Sequence, residues 1–233
     1  MLSISVQCVD VVDGGIAMTI DGRAERLFLQ VELVQGKGDR GRGKLCIMSF
    51  VALLAGEAHT DAPATASAVV REFAMTINDL IPESMRQRLK PFAPRIINTN
   101  DGLDVARANL LIDAALTDLL PSISADLSSP SARILGAVYT LLNGRTLMTL
   151  VELRRRIGFL ASQISGTQDS RASAELAYAV AQLVSFCAIT AKVRARREWY
   201  WLKAIGLLDR ICDIRIERIQ ATPAGVRPAV EFS

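Results

Sequence analysis

The segment Gly38-Asp-Arg-Gly-Arg-Gly43-Lys44 has the spacing Gly-x4-Gly-Lys of a phosphate-binding loop. In such loops backbone amides cradle the phosphate oxygens and the lysine neutralises their charge. Gly38, Arg40, Gly41, Arg42, Gly43 and Lys44 are therefore the candidate phosphate-binding residues. Two parts of the pattern are missing. Position 45 is Leu, where a magnesium-binding loop carries a hydroxyl, and the run Leu110-Leu-Ile-Asp113, which has the letters of an acidic strand end, sits within a helical pattern. A solvated connection between sheet and helix explains the same glycines and cations.

Two further groups could carry chemistry. Glu57, His59 and Asp61 lie within five residues and include the only histidine; their types suit proton transfer or metal binding. A short loop supplies too few ligands by itself, and carboxylates at a helix exit also cap the next helix, so no metal and no cofactor is expected. The second group is Lys192, Arg194, Arg196 and Arg197 running into Trp199-Tyr-Trp201. Cations beside aromatics suit an acidic protein surface or a phosphate backbone with stacked bases, whereas tryptophans on a helix also anchor it to a core. Arg194, Arg196, Arg197, Trp199 and Trp201 are the candidates for that surface. Basic residues also cluster at Arg86, Arg88, Lys90 and Arg95, and at Arg154-Arg-Arg156. No zinc finger, helix-turn-helix spacing or ribonucleoprotein signature accompanies them.

Composition bounds these readings. The 233 residues are 50% hydrophobic, so the chain can bury a large core, and 27 Lys and Arg against 24 Asp and Glu leave a net charge of only +3. That balance does not demand nucleic acid. Cys8, Cys46, Cys187 and Cys212 stand far apart in apolar contexts, which reads as reduced core thiols of a cytoplasmic protein rather than a disulfide framework. The first residues lack the charged and apolar regions of a signal peptide. The longest apolar run, Leu45 to Gly56, spans about 18 Å as a helix against a hydrocarbon core of about 30 Å. No membrane association is expected.

The elements that must position these groups follow from periodicity. Leu2, Ile4, Val6 and Cys8 alternate with polar residues, as do Leu27, Leu29, Val31 and Leu33; Asp13-Gly14-Gly15 and Asp21-Gly22 supply turn signals between them. The expectation for residues 2–34 is a three-stranded antiparallel meander packed on helices. From residue 45 the pattern turns helical: an apolar helix 45–55, and a stripe of Val69, Phe73, Ile77 and Leu80. A short helix 82–90 follows, stopped by Pro91 and Pro94, and then a helix 102–120 capped by Asn100 or Asp101 and ended by Pro121. Ser129-Pro130 opens a helix to Leu142, and Thr149 with Glu152 forms a capping box for one reaching Ile164. Residues 169–211 read as one long helix or two with a kink. The fold class is thus α+β, mostly α, with six to eight helices. The serine-rich stretch Ser122 to Ser131 is the candidate boundary between an N-terminal part, 1–121, and a helical C-terminal part, 131–220, with one continuous domain as the alternative, and 221–233 read as a loose tail.

The block Gly43-Lys-Leu-Cys-Ile-Met-Ser-Phe-Val-Ala-Leu-Leu-Ala-Gly-Glu57, with His59-Thr-Asp61-Ala-Pro63, Asn78-Asp79 and Arg86 to Thr99, resembles a group of uncharacterised bacterial proteins. They share a GKxCxM…AGE…D.P segment. The likeness covers about residues 40–105, and it implies a bacterial origin with no activity or site residues to carry over.

The resulting expectation is a non-catalytic bacterial interaction or assembly protein acting through apolar helical surfaces, with a protein partner or a second copy. A phosphate-ligand or nucleotide-dependent enzyme built on the 36–44 loop is the alternative. Nucleic-acid binding through residues 192–201 is the second alternative.

Overall fold

The computed structural model describes residues 27–126, 141–142, 145–146, 150–164 and 169–215. The expected strands at residues 2–26 and the tail 216–233 lie outside them. Residues 27–30 are helical, because Val31 N donates to Leu27 O at 3.0 Å and closes an i to i+4 turn. The alternation of Leu27 to Leu33 therefore makes a strand only at its end, Glu32–Leu33. Leu27, Phe28 and Val31 turn toward the core, while Leu29 stays 78% exposed.

A small sheet follows, with β1 at Glu32–Leu33, β2 at Gly38–Asp39 and β3 at Lys44–Leu45 in the order β1-β3-β2. β3 runs parallel to β1 and antiparallel to β2, so the sheet is mixed where a purely antiparallel meander was expected. The 3-10 turn Arg40–Arg42 between β2 and β3 reverses the chain tightly enough for that pairing. Gln87 serves β1 as a further strand would: its amide donates to Leu33 O at 2.9 Å and its carbonyl accepts from Leu33 N at 3.1 Å.

Helix α1, Ile47–Leu54, begins where Cys46 Sγ accepts from Ser49 N. Nearly all its side chains are buried, as expected for a helix apolar all round. Helix α2, Ala68–Leu80, is capped by Ser67 and buries Val69, Phe73 and Ile77. Next come α3, Glu83–Arg86, a 3-10 stretch Gln87–Phe92, and α4, Ala93–Ile96. Pro91 and Pro94 do not stop the chain's coiling, since Pro91 sits in the 3-10 segment and Pro94 in the first turn of α4, where an amide donor is not needed. Helix α5, Asp104–Ala114, widens through a π turn at Ala115–Leu119 into α6, Leu120–Asp126. Pro121 accordingly lies in the opening turn of α6 and does not terminate the helix at 120. The π turn precedes the residue that has no amide to donate.

Leu141–Leu142 (β4) pairs antiparallel with Arg145–Thr146 (β5), so residues 141–142 are strand and not the end of the expected helix. The remaining helices are α7, Leu150–Ile164, α8, Ser170–Thr190, and α9, Arg194–Cys212. The chain breaks between α8 and α9 at residues 191–193, giving two helices from the region 169–211. α8 is the centre of the assembly, packed against α2, α5, α7 and α9. It is long and apolar enough to cross a membrane by length and composition, yet 78% of its most apolar window is buried inside the protein. Each fully buried Leu, Val or Phe on it contributes about 1.5–3 kcal/mol. One continuous apolar core runs from Val31 to Cys212.

Candidate functional site

In the glycine-rich loop three glycine amides are engaged by the loop's own neighbours, while the cationic side chains of Lys37, Arg40, Arg42 and Lys44 are all exposed. Gly36 N donates to Asp79 Oδ1 at 2.8 Å, Gly41 N to Asp39 Oδ1 at 2.8 Å, and Gly43 N to Arg40 O at 3.2 Å. Arg42 pairs with Asp39 at 3.4 Å, and Lys44 reaches across the sheet to Glu32 at 3.5 Å. The helix start that would face a bound phosphate is also occupied, since Ile47 N donates to Asn78 Oδ1. Asn78 Nδ2 donates to Val34 O at 2.9 Å, so Asn78 and Asp79 of α2 fasten both ends of the loop. Gly38 is fixed by geometry: φ is +78°, and a Cβ there would stand 2.2 Å from Lys44 O.

Glu57, His59 and Asp61 remain close in sequence without forming one constellation. Glu57 accepts from Ala64 N at 2.9 Å and Thr65 N at 3.2 Å, closing the turn that leads to α2. His59 Nδ1 is buried with no hydrogen-bond partner, and Asp61 is half-buried beside it in the chain. Among the described residues no group of three or more His, Cys, Asp or Glu could hold a metal ion.

The basic-aromatic segment forms the first half of α9. Arg194 and Arg197 are exposed, whereas Tyr200 and Trp201 are buried in the core. Trp201 is thus an anchor and presents no ring to a partner. Trp199 is half-buried, with Arg196 4.1 Å from its ring centroid and Lys203 4.9 Å from it. Lys203 is in turn held by Asp118 at 2.5 Å. Cations thus already occupy the ring that would stack on a base.

Several arginines turn out to be helix C-terminal caps. Arg86 donates to Asn78 O and Ile81 O at the end of α2. Arg95 donates to Asp209 Oδ1 at 2.5 Å and Asp213 Oδ1 at 2.6 Å at the end of α9. Arg107, fully buried, places all five donors: on Asp101 twice, and on the carbonyls of Thr99, Ile211 and Ile214. A cation there satisfies carbonyls that a helix end leaves free and meets the negative end of its dipole. Burial pushes the Asp101 carboxyl up, but the Arg107 and Leu103 hydrogen bonds and the guanidinium charge outweigh it and hold it below its ordinary value. Beside this cluster, burial pushes the Cys212 thiol up to about 12.

One opening was not anticipated. A cleft of about 570 Å³ lies where α2, α7 and α8 meet, with Arg71, Arg156 and Arg171 at its rim. Behind it Asp104 accepts hydrogen bonds from Ser67 and Ser170 hydroxyls, one on each carboxylate oxygen. Arg171 and Glu175 at i and i+4 were readable in the sequence; the approach of Arg71 and Arg156 to them depends on helix packing.

The chain matches no protein-family model, no curated protein and no solved structure.

Proposed function

We propose that the chain is a non-catalytic interaction or assembly protein that binds an acidic protein partner through the outer face of α7. The observation that carries this reading is the pairing of exposed apolar and cationic side chains there. Leu153, Ile157, Leu160 and Ile164 bury one side of α7, while Val151 and Phe159 on the other are 63% and 62% exposed. Arg154 and Arg155 stand between them, also exposed. Apolar anchors ringed by cations suit a surface with apolar pockets and an acidic rim. A second copy fits less well: antiparallel self-pairing that matches Val151 with Phe159 places Arg155 against Arg155. The engagement of Glu57, Arg95 and Arg107 in bonds that join separate segments of the fold supports a non-catalytic role. The three described cysteines, Cys46, Cys187 and Cys212, are free and buried, which fits a reducing cytoplasm.

A photo-crosslinking residue at position 159, expressed in the native cell, tests this. The expected result is a discrete product with one acidic protein, lost in an Arg154→Glu, Arg155→Glu double variant that melts like the parent. Crosslinks only to another copy, or none above those from exposed position 88 on a different element, would remove the proposal.

A second reading, nucleic acid on residues 192–201, is favoured by exposed Lys192, Arg194 and Arg197. It requires affinity that falls steeply with added salt.

A further inference from the structure

We infer that the cleft between α2, α7 and α8 binds a small organic anion, one oxyanion group attached to a flat apolar body. Three helices each bring a guanidinium to one opening: Arg71 from α2, Arg156 from α7 and Arg171 from α8. The latter two share one carboxylate, with Arg156 Nη2 3.3 Å from Glu175 Oε2 and Arg171 Nε 3.4 Å from Glu175 Oε1. That carboxylate acts as a hinge post, holding two cations from different helices at the same rim. Arg71 leans on Glu72 at 3.3 Å in the same way. Guanidiniums braced on one edge lose less freedom when another edge takes an oxyanion, and their planar forks match carboxylate or phosphate oxygens.

The remaining lining decides what the anion is attached to. Ala68 and Ala174 line it with no side chain beyond a methyl, and Tyr178 lines it with an aromatic ring. The Tyr178 hydroxyl accepts from Gln182 Nε2 at 2.7 Å, so the ring has a fixed seat. An aromatic or other flat body in the cleft meets the methyls of Ala68 and Ala174 and the Tyr178 ring, while its oxyanion meets the guanidiniums. Glu72 and Glu175 also line the cleft, so its three guanidiniums leave a single net positive charge, matched to one oxyanion; the Asp104 carboxylate behind Ser170 has both its oxygens taken by serine hydroxyls. The caps of α2 and α8 are likewise supplied by Ser67 and Asp169, so the guanidiniums and not the helix amides take the anion.

Phenyl phosphate is a suitable probe, titrated by calorimetry and by melting temperature at low ionic strength. Saturable binding is expected, stronger than for inorganic phosphate, with benzyl alcohol giving no shift. Arg171→Ala, at an exposed side chain, should weaken it about three- to fivefold without changing the unliganded melting temperature. Arg156→Lys tests the planar fork and should weaken it too. Tyr178→Ala should bring phenyl phosphate down to the affinity of inorganic phosphate. Absence of saturable binding overturns the inference. Binding that survives Arg171→Ala and Arg156→Lys but disappears on Lys44→Ala or Arg194→Ala also overturns it, by placing the anion elsewhere.

Discussion

Arg107 and Asp101 form a two-pronged ion pair, Nη1 to Oδ1 at 2.7 Å and Nη2 to Oδ2 at 2.8 Å, with the guanidinium entirely buried. The same side chain ties the turn at Thr99 to the end of α9. A contact that spans the fold in this way makes α9 part of the cooperative unit.

Removing the guanidinium should therefore be costly. Arg107→Ala leaves a carboxylate and three carbonyls without their partner, and a loss of about 3–5 kcal/mol is expected in urea unfolding followed by circular dichroism. Arg107→Lys should recover little, because one ammonium cannot reproduce a five-donor fork. A loss under about 1 kcal/mol for the alanine variant would show that the clamp does not hold α9.

The same pair sets an acid response. Asp101 is held below its ordinary value when folded, so its contribution is complete above that value. It is lost as pH falls from the ordinary carboxyl range, about 3.9, through the lower folded value. Comparing stability between pH 6 and pH 3 in the parent and in Asp101→Asn should show a smaller decline in the variant. Equal declines would remove Asp101 from the acid response.

Gly36 and Gly38 separate backbone conformation from close approach. Both have positive φ, but a Cβ at Gly36 meets nothing within 4 Å, while one at Gly38 meets Lys44 O. Gly36→Ala should cost about 1–2 kcal/mol, the penalty for an L-residue in the left-handed region. Gly38→Ala should cost distinctly more, because β2 and β3 must separate. Similar unfolding midpoints for the two variants would refute the close approach.

Burial and the raised value of the Cys212 thiol together make it inert in the native state. Peptide mapping after iodoacetamide treatment at pH 8 should find Cys212 labelled only when urea is present. Rapid native labelling would mean that the end of α9 opens freely.

Much of the helical layout was legible because apolar stripes repeat with the helix period. Val69, Phe73 and Ile77 of α2, and the span of α7 to Ile164, are local features that packing did not override. Leu27 to Leu33 misled because Leu27 and Val31 satisfy a period of two and an i to i+4 spacing equally well over so short a run. Pro121 misled because a π turn before it is invisible in composition. The sites were less legible for a different reason. Arg86, Arg95 and Arg107 read as basic clusters or pass unnoticed, and only tertiary packing shows that each caps a helix end. Arg71, Arg156 and Arg171 are far apart in the chain, so their common cleft has no sequence signature. Trp201 and Trp199 share a motif, yet the helix turns one inward and leaves the other at the surface.

The central claim is that the α7 face, with Arg154 and Arg155 between Val151 and Phe159, meets a different, acidic protein and not itself. Light scattering coupled to size exclusion, across a wide concentration range, tests it most directly. The account predicts a single species at the chain mass of 25.3 kDa. A stable dimer that Phe159→Asp converts to monomer would contradict it.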